Sequence, residues 1–401
     1  MSAQSMWREV RLGNVMDIQL GKMLSPVAKV GTTPKPYLRN ANVQWGRFDL
    51  ADVALMDFND REQAKFRLRR GDLLVCEGGE PGRSAVWGDE VPEVYYQKAL
   101  HRLRPNADGV DPHFMMYRLW LGAQSGEFGG SQAKTTIAHL PAVRLHGLRI
   151  ALPPLAEQRR IAARLAEQLA AVERARGAAQ EMVTAAATLR AEQVRSALAT
   201  GESGEWPRRR LGEICHIQLG KMLSPKSKTG SEPRKYLRNA NVQWDRFQLV
   251  DVAEMDFTEG ETEKFELQRG DLLVCEGGEP GRSAVWQAEI EPCFYQKALH
   301  RLRPRVEGVN PRFLMYRMWL GAASGEFSGS HAKTTIAHLP AVRLAELEIG
   351  LPSIETQSAM VRALDEVAEV CRRLESQALS ELAAISALPA ALLREAFNSA
   401  G

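Results

Sequence analysis

Two stretches of the chain carry apolar residues at alternating three- and four-residue steps. In 155–199 the stripe is Ile161, Leu165, Leu169, Val172, Met182, Ala186 and Leu189. In 354–399 it is Met360, Leu364, Val367, Cys371, Leu374, Ala378, Leu382, Ile385, Leu388 and Leu392. That spacing puts the side chains along one side of a helix, and a background of Ala, Leu, Glu, Gln and Arg favours the helix intrinsically. Each stretch predicts a coiled-coil-like rod of about 45 residues, roughly 65 Å at 1.5 Å per residue. Pro153-Pro154 and Pro352 stand just before the two starts, and Pro389 is expected to kink or interrupt the second rod.

The segments ahead of the rods lose the helical period. Asp72-Leu73-Leu74-Val75-Cys76 follows the Gly71 turn and predicts a buried strand. Glu77-Gly78-Gly79-Glu80-Pro81-Gly82 predicts a tight loop, and Pro112–Gly122 a helix with proline in its first turn. His101 sits in a further strand as a hydrogen-bonded structural histidine. These patterns predict α+β modules with a twisted sheet and long loops.

The pattern is written twice. The eight tryptophans form four pairs (Trp7 and Trp206, Trp45 and Trp244, Trp87 and Trp286, Trp120 and Trp319), all at one offset of 199 residues. Between 11–150 and 210–349 about 70% of positions are identical, without insertion or deletion. Between the rods identity falls to about 22%. The expected organisation is a module at 1–154, a helix at 155–200, a second module at 201–353 and a helix at 354–401. Gly201–Pro207 links the halves.

A length of 401 residues fits that division. No run of eighteen apolar residues occurs, so no transmembrane helix is expected, and Met1–Val10 lacks the apolar core of a secretory signal. Five cysteines without a CxxC pair argue against structural zinc and a disulfide framework, and fit a reducing cytoplasm. The net charge is +3. Both modules are mildly basic, the first rod is neutral and the second acidic.

Chemistry is concentrated in loops present in both copies. One cluster holds Lys22, Ser25 and Lys29, matched by Lys221, Ser224 and Lys228. A second holds Arg39, Asn40, Asn42 and Gln44, matched by Arg238, Asn239, Asn241 and Gln243. Arg83 and Arg282 follow the Gly-rich loop. A third cluster holds Gln132, Lys134 and Thr135, matched by His331, Lys333 and Thr334. Such side chains read base edges and hold phosphates, which makes them candidate DNA contacts. They are equally the residues that make turns and solvated surfaces. The Gly-rich loop misses the GxxxxGK[ST] spacing, and no GxGxxG, HExxH or adenine-methylation tetrapeptide occurs, so no catalytic, cofactor or metal centre is expected.

With these motifs in order the chain resembles the DNA-specificity subunits of type I restriction-modification systems. The strongest local match is Leu152-Pro153-Pro154-Leu155-Ala156-Glu157-Gln158, leading from module to helix. The second copy departs from it at Ser353 and Thr356. Arg70-Gly71-Asp72-Leu73-Leu74 and Leu392-Leu393-Arg394-Glu395-Ala396-Phe397 are further matches. The resemblance implies two target-recognition domains related by a pseudo-two-fold, separated by two long antiparallel helices. Each domain would read half of a split site in double-stranded DNA. The helices would dock two methyltransferase subunits, with restriction subunits joining them. The chain would be non-catalytic and cytoplasmic, with S-adenosylmethionine and ATP on its partners. Modules this similar imply near-identical half-sites. The competing readings are a stand-alone nucleic-acid enzyme and a helical scaffold that does not read DNA.

Overall fold

A computed structural model describes residues 7–24, 33–106, 108–128, 139–200, 206–224, 233–327 and 338–398. The chain divides into two compact units, 1–179 with 380–401 and 180–379. Each unit therefore combines one module, the start of the long helix that follows it and the end of the other long helix. The helices span Leu155–Thr200 and Ile354–Asn398.

In the first unit the main sheet is antiparallel, in the order Met16–Leu20, Leu100–Pro105, Leu73–Cys76, Ser84–Val86. All four residues of Leu73–Cys76 are buried, because alternate side chains feed two cores. Leu73 and Val75 face the core made with the helix Pro112–Gln124, while Leu74 and Cys76 face a second, aromatic core containing Phe58, Trp87 and Tyr96. That second core carries a three-stranded sheet in the order Ala54–Asp57, Pro34–Leu38, Tyr95–Tyr96, its last pair parallel. Arg8–Arg11 pairs with Arg149–Leu152 and so closes the module where the long helix begins. Gly21 lies against the Gln97 carbonyl, where an added Cβ would sit 2.3 Å away, so only glycine fits.

The second unit repeats this arrangement, strand for strand, at residues 208–350. The helix expected at Pro112–Gly122 runs from Pro112 to Gln124 and is capped by the Asp111 carboxylate, which accepts from His113 N and Phe114 N. All five cysteines are free and buried.

The helical stripes need two corrections. The buried positions of the second long helix are Gln357, Val361, Leu364, Ala368, Cys371, Ala378, Pro389, Leu393 and Ala396, so Met360, Val367 and Leu392 are only half-buried flanks of the seam and Leu388 is exposed. Pro389 does not interrupt the helix, which continues to Asn398. Leu393 and Ala396, beyond the proline, belong to the core of the first unit with Ile161 and Leu165, and this burial offsets the missing N–H bond. A third expectation also changes. By length and composition, Ile354–Asn398 could cross a membrane, because its alanines, leucines and isoleucines outweigh the polar residues that break the apolar run. Val361 and Leu364 near its start and Leu393 and Ala396 near its end, however, lie in protein cores.

Candidate nucleic-acid interface

The candidate residues fall around two segments, 25–32 and 129–138, and their counterparts. The bases of both segments are firmly held. Lys22 Nζ donates to the Asp57 carbonyl and to Glu62 Oε2, each at 2.6 Å, and its side chain is only 12% exposed. Thr33 N donates to Asp57 Oδ1 at 2.9 Å, so both flanks of 25–32 meet at Asp57. Although burial alone would raise it, the Glu62 carboxyl lies below its ordinary pKa because Lys22 and the Asn59 backbone hydrogen-bond its charged form. Lys221, Asp256 and Glu261 repeat this anchor with the same distances.

The second segment is pinned at the Glu77–Gly82 loop. Leu140 N donates to the Glu77 carbonyl at 2.7 Å, and buried His101 donates from Nε2 to the Leu140 carbonyl at 3.0 Å. Phe128, on the other flank, packs at Gly82, whose φ of +92° holds the loop in a left-handed turn. Burial lowers the His101 pKa and keeps the ring neutral, and His300 behaves alike beside Leu339.

The Arg-Asn-Gln cluster is a bonded platform between these two bases. Asn42 is buried; its Oδ1 accepts from Arg39 N, and its Nδ2 donates to the Asp49 and Asp52 carbonyls. Arg39 donates to Asp52, and Asn40 Nδ2 to the Gly78 carbonyl at 2.9 Å. Arg83 bridges the Asn40 carbonyl and Glu80, both at 3.1 Å, and Gln44 Nε2 donates to the Ala41 carbonyl. Arg238, Asn239, Asn241, Gln243 and Arg282 make the same bonds in the second unit. These side chains shape the loops from within, so much of their donor capacity is already used. Ser224 is half-buried beside exposed Met222 and Leu223. Ser25, Lys29, Gln132, Lys134 and Thr135, with Lys228, His331, Lys333 and Thr334, lie outside the described residues, as does 201–205 of the linker.

One buried residue joins each module to its long helix, and sequence reasoning passed over it as part of a motif. Gln158 is fully buried; its Oε1 accepts from Asp111 N, and its Nε2 donates to the Gly109 and Pro153 carbonyls, all at 2.8 Å. Gln357 makes the corresponding bonds to Asn310, Gly308 and Pro352. Its presence in both copies, despite the drift of the surrounding motif, was the available signal.

Two copies of one hydrogen-bonded platform, each fastened to a long helix, define a duplicated module. The chain belongs to the family described as type I restriction modification DNA specificity domain, whose profile matches residues 4–177 and again 203–384. It is 23% identical over 359 residues to the type I restriction enzyme EcoBI specificity subunit of Escherichia coli, covering 82% of this chain and 73% of that protein. It is 26% identical over 132 residues to the putative type I restriction enzyme MjaX specificity subunit of Methanocaldococcus jannaschii, covering 32% and 31%. The fold is shared with a chain solved in work on complex assembly and conformational transition of the type I R-M system (TM-score 0.75, 19% identity, 98% and 97% covered). It is also shared with the HsdS subunit from Thermoanaerobacter tengcongensis (TM-score 0.57, 20% identity, 98% and 96% covered).

Proposed function

We propose that the chain is the DNA-reading specificity subunit of a cytoplasmic type I restriction-modification complex, and that it performs no chemistry itself. The observation that carries this reading is the double family match, each copy running from a complete recognition module into its long helix. Each module reads one half of a bipartite site in double-stranded DNA. The helices dock two methyltransferase subunits, which bind S-adenosylmethionine, and ATP-driven restriction subunits join that core. Because the modules share about 70% of their residues, the half-sites are the same or nearly so and the target is an interrupted palindrome.

In this reading Lys134 and Lys333 hold phosphate. Changing both to alanine weakens DNA binding and flattens its dependence on salt. Equal affinity at every salt concentration would show that they do not touch DNA. The decisive experiment is methylome sequencing of cells with and without the gene. A split, near-palindromic methylated motif that vanishes with the gene is expected; an asymmetric motif would overturn the half-site assignment, and no change in methylation would overturn the function.

A further inference from the structure

The two units differ in side-chain chemistry where each module meets its long helices. In the second unit this place is filled by charge. Arg312 Nη2 lies 2.9 Å from Asp245 Oδ1 and 2.6 Å from Asp365 Oδ1. Arg190 lies 4.0 Å from Asp245 Oδ2, with its guanidinium 5.6 Å from the centre of the Trp319 ring. Tyr316 completes the cluster by donating its hydroxyl to Asp365 at 2.7 Å. A cavity of only about 320 Å³ remains beside Trp244 and Trp319.

In the first unit the four charged positions hold Gly46, His113, Ala166 and Pro389. Every replacement is smaller, and none carries a fixed charge. The result is a half-open cavity of about 1010 Å³, with Gly46, His113, Ala166 and Pro389 all in its wall. Its aromatic floor also changes. Trp45 and Trp120 stack with ring centres 4.9 Å apart and planes 9° apart, whereas Trp244 and Trp319 meet edge to face at 6.4 Å. Tyr117 lines the cavity and is 6% exposed. The acceptor that Tyr316 finds in Asp365 is absent here, because Ala166 occupies that position, and the Tyr117 hydroxyl has no hydrogen-bond partner among the described residues. Tyr117 lines the open cavity, so its hydroxyl is free to donate there to water or a ligand.

The lining also indicates charge. Glu80 accepts from Trp45 Nε1 and pairs with Arg83, and Glu173 pairs with Arg176 at 2.5 Å. His113 is more than half exposed, at the rim. The buried part therefore offers π faces and an unused donor in Tyr117, while the exposed Arg47 guanidinium and Gln124 amide stand at its edge. We propose that this cavity is a binding site for an uncharged, planar heteroaromatic molecule, packed against the stacked Trp45–Trp120 pair and hydrogen-bonded by the Tyr117 hydroxyl. The site belongs to the first unit alone and does not depend on the DNA-reading assignment.

Benzimidazole, a planar bicycle with a ring-nitrogen acceptor, is a direct probe. Isothermal titration into the full chain at pH 8 is expected to show one saturable site per chain. Tyr117→Phe should weaken binding about 3- to 10-fold, the loss of one hydrogen bond. Tyr316→Phe, at the filled counterpart, should leave affinity unchanged. Gly46→Asp, His113→Arg, Ala166→Asp and Pro389→Arg together install the charged cluster and should abolish binding. Should that combined variant not fold by circular dichroism, Tyr117→Phe still decides. No saturation by benzimidazole, two equivalent sites, or wild-type affinity in Tyr117→Phe or in the folded filled variant would each overturn the proposal.

Discussion

Replacing Gln158 by leucine tests how the module is fastened to its helix. The residue is fully buried and makes three hydrogen bonds of 2.8 Å, one as acceptor and two as donor. Leucine keeps the approximate volume but leaves Asp111 N and the Gly109 and Pro153 carbonyls without that partner. Each abandoned buried group costs about 1–3 kcal/mol, and partial relaxation brings the expected total to about 3–5 kcal/mol. For a cooperative unit of roughly 200 residues this lowers the melting temperature by about 6–20 °C. Differential scanning calorimetry of the full chain measures it directly. Gln357→Leu should produce a matching loss in the second unit, and the double variant should show both losses, since the two residues share no partner. Gln158→Glu should be damaging as well, because it retains an acceptor for Asp111 N but sets a carboxylate against two carbonyl oxygens. A loss below about 1 kcal/mol for leucine, or wild-type stability for glutamate, would refute the reasoning.

Asp72 is 1% exposed and receives Arg104 through Nε and Nη2 at 2.6 and 2.7 Å, with Arg69 N at 2.8 Å. Asp72→Asn should cost about 2–4 kcal/mol in urea denaturation, less than a fully buried pair because Arg104 is partly solvated; a neutral result would place this pair among the dispensable ones. His101 and His300 stay neutral in the fold while the unfolded chain takes up protons below about pH 6.5, so their contribution is present above that pH and is lost as the pH falls below it. His101→Asn with His300→Asn should flatten stability against pH between about 5 and 7, and an unchanged slope would contradict the assignment. Burial pushes the Cys76 and Cys275 thiols up to about 11, although Arg83 and Arg282 pull the other way. Both should therefore react with a thiol reagent only on unfolding, and rapid labelling of the native chain would show an opening absent from the structure.

Much of the architecture was legible in the residue pattern, because local and repeating constraints leave local and repeating traces. The three-four spacing located both long helices, and Pro112 at a first turn located the helix of the first module. The constant offset of the tryptophans made the duplication plain. His101 was correctly read as a structural histidine, since a polar residue in an apolar strand must find a partner. The phase of the second seam was read one residue out at four places, Met360, Val367, Leu388 and Leu392. At 3.6 residues per turn, neighbouring positions such as Met360 and Val361 both border the buried face, and only the surrounding packing chooses between them.

What the sequence by itself determined is the long helices, a few elements of each module, the duplication and the class of partner. The tertiary structure decided which polar groups are spent inside the fold. Lys22, Asn40, Asn42 and Arg83 look like ligands for DNA in a string of letters, yet they bond to residues 10–43 positions away. The fold also decided that each compact unit takes the end of the other half's helix, as Phe397 against Phe114 shows in the first unit. It decided, finally, that four scattered differences between the copies converge on one place, a charged cluster in the second unit and an open aromatic cavity in the first. Such convergence depends on contacts between residues far apart in the chain, and no periodicity along the chain records it.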